Sequence, residues 1–194
     1  MTTKAKLVST IAAFCLVLAL MVVGVLAASS ATVQLGGSLS FTAEDVVATV
    51  SVSASGSAED ETVNGTGDYA KKFTSADATA TWTKKDINLT FSDKNATLTI
   101  TIRVQNDSTE RALTITPTAV PSITGTNLTP SIKYAVNGGE AKAITNTDPI
   151  NVPATQYAEI TLSATITDKN LSVTSSSWTA DFTLANVAAT APGV

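Results

Sequence analysis

The chain has 194 residues, with 12 basic and 16 acidic side chains, a net charge of −4, one cysteine and no histidine. Without histidine it has no Ser/His/Asp triad and no histidine-ligated zinc site, and one cysteine cannot form an internal disulfide. Its basic residues are scattered rather than gathered into the stripe that nucleic acids require, so we expect no nucleic-acid partner. The chain also lacks a phosphate-binding glycine loop, and we expect no cofactor.

The N-terminus carries the features of a secretory leader. Lys4 and Lys6 precede an uncharged apolar run, residues 7–28, whose end is crowded with small residues. This order is typical of a cleavable signal peptide over residues 1–28, with signal peptidase as the processing partner. The run is also long enough to cross a bilayer, so a retained anchor is the alternative. We expect the rest of the chain to be secreted or held at the cell surface, and to meet the membrane only through this segment.

Strands dominate the body of the chain, which we expect to be one domain over residues 29–187. In residues 97–104 an apolar side chain stands at every even position, which is the two-residue period of a half-buried β-strand. No window after the leader keeps the spacing of an amphipathic helix over three turns. The same alternation recurs at residues 46–53, 87–91, 160–166 and 178–184, with weaker candidates at 33–35, 39–41, 80–83, 113–116 and 132–136.

Turn-forming residues separate these strands. Gly36-Gly37 divides the two earliest candidates, and Asn137-Gly138 favours a tight turn near the middle of the body. Residues 55–67, rich in Gly, Ser and acidic side chains, are expected to form a flexible loop. Residues 188–194 are expected to form a loose C-terminal tail.

The number and spacing of the strands predict an all-β fold. About ten short strands in one domain are typical of two antiparallel sheets packed face to face, in a jelly-roll or immunoglobulin-like β-sandwich. This sandwich would follow the apolar leader helix, and a closed barrel is the alternative. In each strand we expect apolar side chains to face inward and Thr or Ser to face solvent.

Candidate functional side chains are few. The adjacent acids at residues 44–45 and 59–61 lack the alternating spacing of a calcium loop, so we interpret them as solvated loop residues. Trp178 is in phase with Phe182 and is expected in the core. Trp82 lies between two threonines; it is expected either in the core or, alternatively, exposed and stacked on a sugar ring. We predict no catalytic, metal-binding or cofactor-binding residue and no enzymatic activity.

Several Asn-x-Ser/Thr triplets are potential glycosylation sites. Turn-forming Asn beside strand-forming Thr accounts for most of them, and an attached glycan requires its asparagine to face outward. The six triplets begin at Asn64, Asn88, Asn95, Asn106, Asn127 and Asn170.

The order of several stretches resembles a known family. The apolar leader precedes Leu-Ser-Phe-Thr-Ala at residues 39–43, a central strand ends in Val-Gln-Asn-Asp-Ser at 104–108, and a late strand carries Trp178 and Phe182. This order resembles the secreted TasA/camelysin group of Gram-positive bacteria. The resemblance implies a jelly-roll domain that assembles into extracellular fibres of a biofilm matrix. The protease activity ascribed to camelysin is not carried over, because no histidine is present to hold a metal.

These features lead to two functional hypotheses. The first is a structural or assembly protein at the cell surface or in a matrix, whose partners are copies of itself or surface polymers. In it, an N-terminal donor strand leaves its own sheet and completes a neighbour's open edge, whereas in the alternative the same residues form an ordinary first strand. The second hypothesis is a secreted module that binds carbohydrate or another surface ligand, with Trp82 as the stacking residue. The candidate donor strand consists of Thr32, Val33, Gln34 and Leu35.

Overall fold

The described part of the chain consists of strands and the turns between them. The expected leader, the expected C-terminal tail and Thr32 lie outside the described residues. Among the described residues, no helix has the length and apolar character needed to span a membrane. The computed structural model describes residues 33–56, 62–64, 69–74, 76, 79–85, 88–91, 97–125, 128–166 and 176–187.

The regular elements are numbered in chain order. Within the described residues they are β1 (Val33–Glu44), β2 (Ala48–Gly56), β3 (Thr62–Asn64), β4 (Tyr69–Phe73), β5 (Ala80–Lys85), β6 (Asn88–Phe91), β7 (Thr97–Asn106), β8 (Ala112–Pro117), β9 (Ser122–Thr124), β10 (Leu128–Val136), β11 (Lys142–Ala143), β12 (Ile150–Val152), β13 (Tyr157–Ile166) and β14 (Ser176–Val187).

The strands form two sheets. In sheet A the order is β12-β8-β14-β1-β6-β3, with β5 also paired with β1 and β9 with β14; in sheet B it is β11-β10-β13-β7-β2-β4. Every described pair is antiparallel except β1 with β14, the first and last strands, which run parallel over residues 35–44 and 176–185. The all-β prediction with two sheets is confirmed, and the expectation of purely antiparallel sheets is corrected at this one pair.

The two sheets share one hydrophobic core, which is the arrangement of a β-sandwich. Burial alternates residue by residue along β7 and β13, as their sequence period predicts. Ile102 of β7 faces Ile160 of β13 across the pair, and both are fully buried. Burying such a side chain contributes about 1.5–3 kcal/mol, so this pair stabilises the centre of sheet B. Trp178 is fully buried, which confirms its predicted place in the core.

The expected turn at Gly36-Gly37 is wrong, because both glycines lie inside β1. The two early strand candidates are one strand, which pairs with β6 at residues 33–35 and with β5 at residues 38–43. The register slips by one residue between the two pairings, as at a β-bulge. A Cβ at Gly37 would lie 2.1 Å from the indole of Trp178, so the absence of a side chain admits this indole. Glycine at this position allows the indole to approach the backbone of β1 closely, and it does not reverse the chain.

The tight turn predicted at Asn137-Gly138 is confirmed. Both residues have positive φ, 50° and 71°, and the Gly139 amide donates to the Val136 carbonyl at 2.9 Å. These are the features of a type I′ turn, which asparagine and glycine tolerate best. The turn joins β10 to β11 and lies at the edge of sheet B.

The loop expected over residues 55–67 is only partly correct. Strand β2 continues to Gly56, and residues 62–64 form β3, which pairs with β6. The remaining residues of that stretch lie outside the described residues.

Candidate functional site

The candidate donor strand forms the start of β1. Val33, Gln34 and Leu35 pair with residues 91, 90 and 89 of β6, and Leu35 also pairs with Ser176 of β14. The described segment therefore lies within its own sheet, in the position of an ordinary first strand. Exchange between copies is a separate question, and the donor-strand role stays a prediction.

Trp82 belongs to an aromatic row on the inner face of sheet A. Its ring is stacked on Phe41 with centroids 6.1 Å apart, and Phe41 is stacked on Phe182 at 5.3 Å. Phe41 pairs directly with both residues in register, so the row crosses β5, β1 and β14. Cross-strand aromatic pairs of this kind stabilise a sheet. Trp82 is only partly buried, so it lies at the margin of the core. A sugar-stacking role for its exposed part stays a prediction.

A buried asparagine organises the loops at one end of the sandwich. Asn106 ends β7 and is fully buried. Its side-chain nitrogen donates to the carbonyls of Arg111, Val152 and Pro153 at 2.9, 3.1 and 3.0 Å, and its Oδ1 accepts from the Ser108 amide at 3.1 Å. The β7–β8 loop is thereby bound to the chain that follows β12. A buried amide that is fully hydrogen-bonded orders its surroundings.

The burial of Asn106 rules out one of the six candidate glycosylation sites. Because Asn106 is fully buried and its nitrogen already serves three carbonyls, it is inaccessible to a glycan in the folded chain. Of the other five triplets, no asparagine side chain belongs to the described residues.

Two loop segments lie near Asn106. We call these segments, residues 45–47 and 107–111, the polar end of the sandwich. Asp107 accepts from Thr49 Oγ1 at 2.6 Å, and Asp45 accepts from Arg111 Nη1 at 3.3 Å. Asp45 has a positive φ of 47°, which turns the chain sharply from β1 toward β2. The Asp45–Arg111 pair is about half exposed on both sides and so contributes little to stability.

A polar pocket of about 280 Å³ opens at the polar end. Its walls are Asp45, Val47, the loop 107–111 and Asn186 of β14. The Oδ1 atom of Asn186 is buried and has no hydrogen-bond partner. Position 186 was not among the residues predicted from sequence. The sequence does contain a signal for it, because Asn186 is in phase with the apolar, inward-facing residues of β14.

The pocket lacks the ligand set of a metal centre. Among the described residues, no group of three His, Cys, Asp or Glu side chains is placed to hold an ion. The polar end combines carboxylates, one guanidinium and one amide, which suits hydrogen bonding to a small polar group. The predicted absence of catalytic residues stays a prediction.

No protein-family model matches the chain, and no curated protein matches it either.

Proposed function

We propose that this chain is an exported structural subunit that assembles with copies of itself at the cell surface or in an extracellular matrix. Export is supported by the charged, apolar and small-residue order of residues 1–28. The proposal includes a jelly-roll or immunoglobulin-like connection of the two sheets and kinship with the TasA/camelysin group. It also includes the absence of enzymatic activity.

The observation that carries the proposal is the place of β1. It directly follows the N-terminal segment and lies inside sheet A, between β14 and the strands β5 and β6. Leu39 and Phe41 of this strand are fully buried, so the core depends on a strand next to the chain's N-terminal segment. An N-terminal strand from a second copy can complete a sheet in the same way. It supplies the backbone hydrogen bonds, and no new interface has to form.

The outer edges of the sheets favour this route over edge-to-edge growth. In the described chain, sheet A ends in two strands of three residues each, β12 and β3. In sheet B the edge strand β4 carries Lys71 and Lys72, and β10 contains Pro130. Lys71 pairs with the buried Val50 and so lies on the inner side, with its ammonium over the Phe73 ring. Short edges, edge lysines, inward charges and proline all oppose pairing with another sheet.

Deleting residues 28–36 tests the proposal. The matched control is deletion of residues 188–194, which shortens the other terminus. We expect electron microscopy to show fibres from the full chain and from the control, and none from the chain lacking residues 28–36. Circular dichroism of that shortened chain should still report a strand-rich fold. Unchanged fibres would end the donor-strand idea.

The variant Gln34→Pro separates loss of assembly from loss of folding. Proline removes one backbone donor from the segment that pairs with β6, but leaves its length unchanged. We expect fewer and shorter fibres, with a far-ultraviolet spectrum like that of the unaltered chain.

A second candidate function is a secreted module that binds carbohydrate. It is favoured by the partial exposure of Trp82, whose ring completes the aromatic row at the margin of the core. Binding on a glycan array that is lost in Trp82→Ala and retained in Trp82→Phe would support it. If the unaltered chain binds no glycan on the array, this second function is refuted.

A further inference from the structure

The outer face of sheet B is an almost uncharged array of hydroxyl groups. On β7 and β13 the outward-facing residues at 97, 99, 101, 161, 163 and 165 are all Ser or Thr and only partly buried. The register continues them in rows onto β2 and β10, so that Thr99 and Ser163 stand between Ser55 and Ser131. We call the outward-facing residues of β2, β7, β10 and β13 the hydroxyl face.

This face has too few charges for an ordinary solvent-facing surface. The four strands together contain three charged residues, Arg103, Lys133 and Glu159. Strand propensity accounts for threonine on a pleated surface, but soluble domains also place many lysines and glutamates on such a surface. Depletion of charge is a compositional mark of the centre of a protein–protein interface. The composition therefore favours a face that another protein surface covers.

Two of the three charges lie side by side at one end of the face. Arg103 of β7 is directly opposite Glu159 of β13, and its Nη1 lies 3.5 Å from Oε1 of the glutamate. The guanidinium lies 3.6 Å from the centre of the Tyr157 ring, so the arginine side chain is stacked along the sheet. A guanidinium has five N–H donors, and one contact with one oxygen leaves it able to bind a second carboxylate.

A two-fold axis that runs between β7 and β13, parallel to both, would make the hydroxyl face complementary to itself. Rotation about this axis places β7 of one copy over β13 of the other and keeps the rows in register. Arg103 would then face Glu159 of the second copy, and Lys133 would face Ser53, so no two like charges meet. Sheets packed face to face cross at about 30°, which keeps the central strands close to the axis.

We propose that the hydroxyl face is a contact between two copies of this chain, which pack sheet B against sheet B about this two-fold axis. The face is four strands wide and spans residues 97–105 of β7, about 19 Å by 27 Å from standard strand dimensions. Two such faces bury about 1,000 Å² in total, which is enough for a weak, specific interface. The inference rests on the proposed function, because it adds to the donor strand a contact that would hold neighbouring fibres side by side.

Two variants of opposite charge test the contact. Glu159→Arg makes the charged end of the face wholly positive, and Arg103→Glu makes it wholly negative. Each variant alone would meet its own sign across the axis, whereas a mixture of the two would bring opposite signs together. Glu44→Arg is the matched control, because Glu44 is exposed at the end of β1 in sheet A. Sedimentation velocity of the full chain, kept in a non-ionic detergent because of its apolar N-terminus, measures the association.

We expect the unaltered chain and Glu44→Arg to form dimers with the same, roughly micromolar, dissociation constant. Each face variant should self-associate about a hundredfold more weakly, because like charges would be juxtaposed in the contact. An equimolar mixture of the two should form dimers that contain one copy of each. Ser163→Arg places a long charged side chain at the middle of the face and should prevent dimers, with an unchanged strand-rich circular dichroism spectrum. This variant keeps the test valid if a charge reversal disturbs folding.

Several results would overturn the proposal. Dimers that survive Ser163→Arg would place the contact elsewhere, and a mixture of the two face variants that stays monomeric would refute the two-fold pairing. An unaltered chain that is monomeric at every concentration would remove the contact, and its retention on an insoluble polysaccharide would assign the face to that polymer. Electron microscopy of fibres is a separate measurement. Fibres without dimers would refute this contact alone, and dimers without fibres would refute the proposed fibre assembly alone.

Discussion

Gly37→Ala is a sharp test of how β1 is joined to β14. A Cβ at this position would lie 2.1 Å from Cδ1 and Nε1 of Trp178, far inside van der Waals contact. The indole would have to retreat by more than an ångström, yet Trp178 is fully buried in the core, where side chains are closely packed. Overfilling a core costs about 1–3 kcal/mol, and we expect the upper end here. For a domain of this size that is a fall in Tm of roughly 6–12 °C.

Thermal unfolding followed by tryptophan fluorescence measures this effect. Ser38→Ala is the matched control, because Ser38 is the next residue on the same strand and is only partly buried on the other face. We expect the control to change stability by no more than about 0.5 kcal/mol. In a Trp178→Leu background, Gly37→Ala should cost less than about 1 kcal/mol, because the clashing ring is gone. A Gly37→Ala chain that melts within about 2 °C of the unaltered chain would refute the contact.

Three further predictions concern the polar end and the surface of sheet B. Asn106→Ala should lower the free energy of unfolding by about 2–4 kcal/mol, because three carbonyls lose their donor. Urea unfolding measures this, with the exposed Asn151→Ala as the control. A loss as small as that of the control would contradict the prediction. Mass spectrometry of glycopeptides should find Asn106 unmodified even in a glycosylating host, and a glycan there would disprove its burial. Glu159→Gln removes an exposed ion pair with Arg103 at 3.5 Å and should cost less than about 1 kcal/mol; a larger loss in urea unfolding would show that the pair is stronger than its exposure implies.

Local alternation of side chains was enough to predict the strands and their inner faces. The residues of β7 at 98, 100, 102 and 104 are buried as their two-residue period indicates, and the apolar residues at 178 to 184 follow the same rule. The period fixes which side chains face inward because successive side chains of a strand point to opposite faces. The Asn137-Gly138 turn was equally predictable, since its positive φ values select those two residue types.

Contacts between distant parts of the chain could not be predicted from the sequence. Gly36-Gly37 has the composition of a turn, and only the approach of Trp178, far along the chain, shows why glycine stands inside a strand. The parallel pairing of β1 with β14 likewise joins the two ends of the domain, and no local pattern encodes it. Asn186 interrupts the apolar series of β14 in the sequence, but only its strand partner, the buried Leu113, and the loop 107–111 show that it borders a pocket.

Electron microscopy of material collected outside producing cells tests the central claim most directly. The account predicts that the protein is found there without residues 1–28 and forms fibres that antibodies to the chain decorate along their length. Protein that stays inside the cell with those residues intact, or that is recovered outside only as single monomers at every concentration, would contradict it.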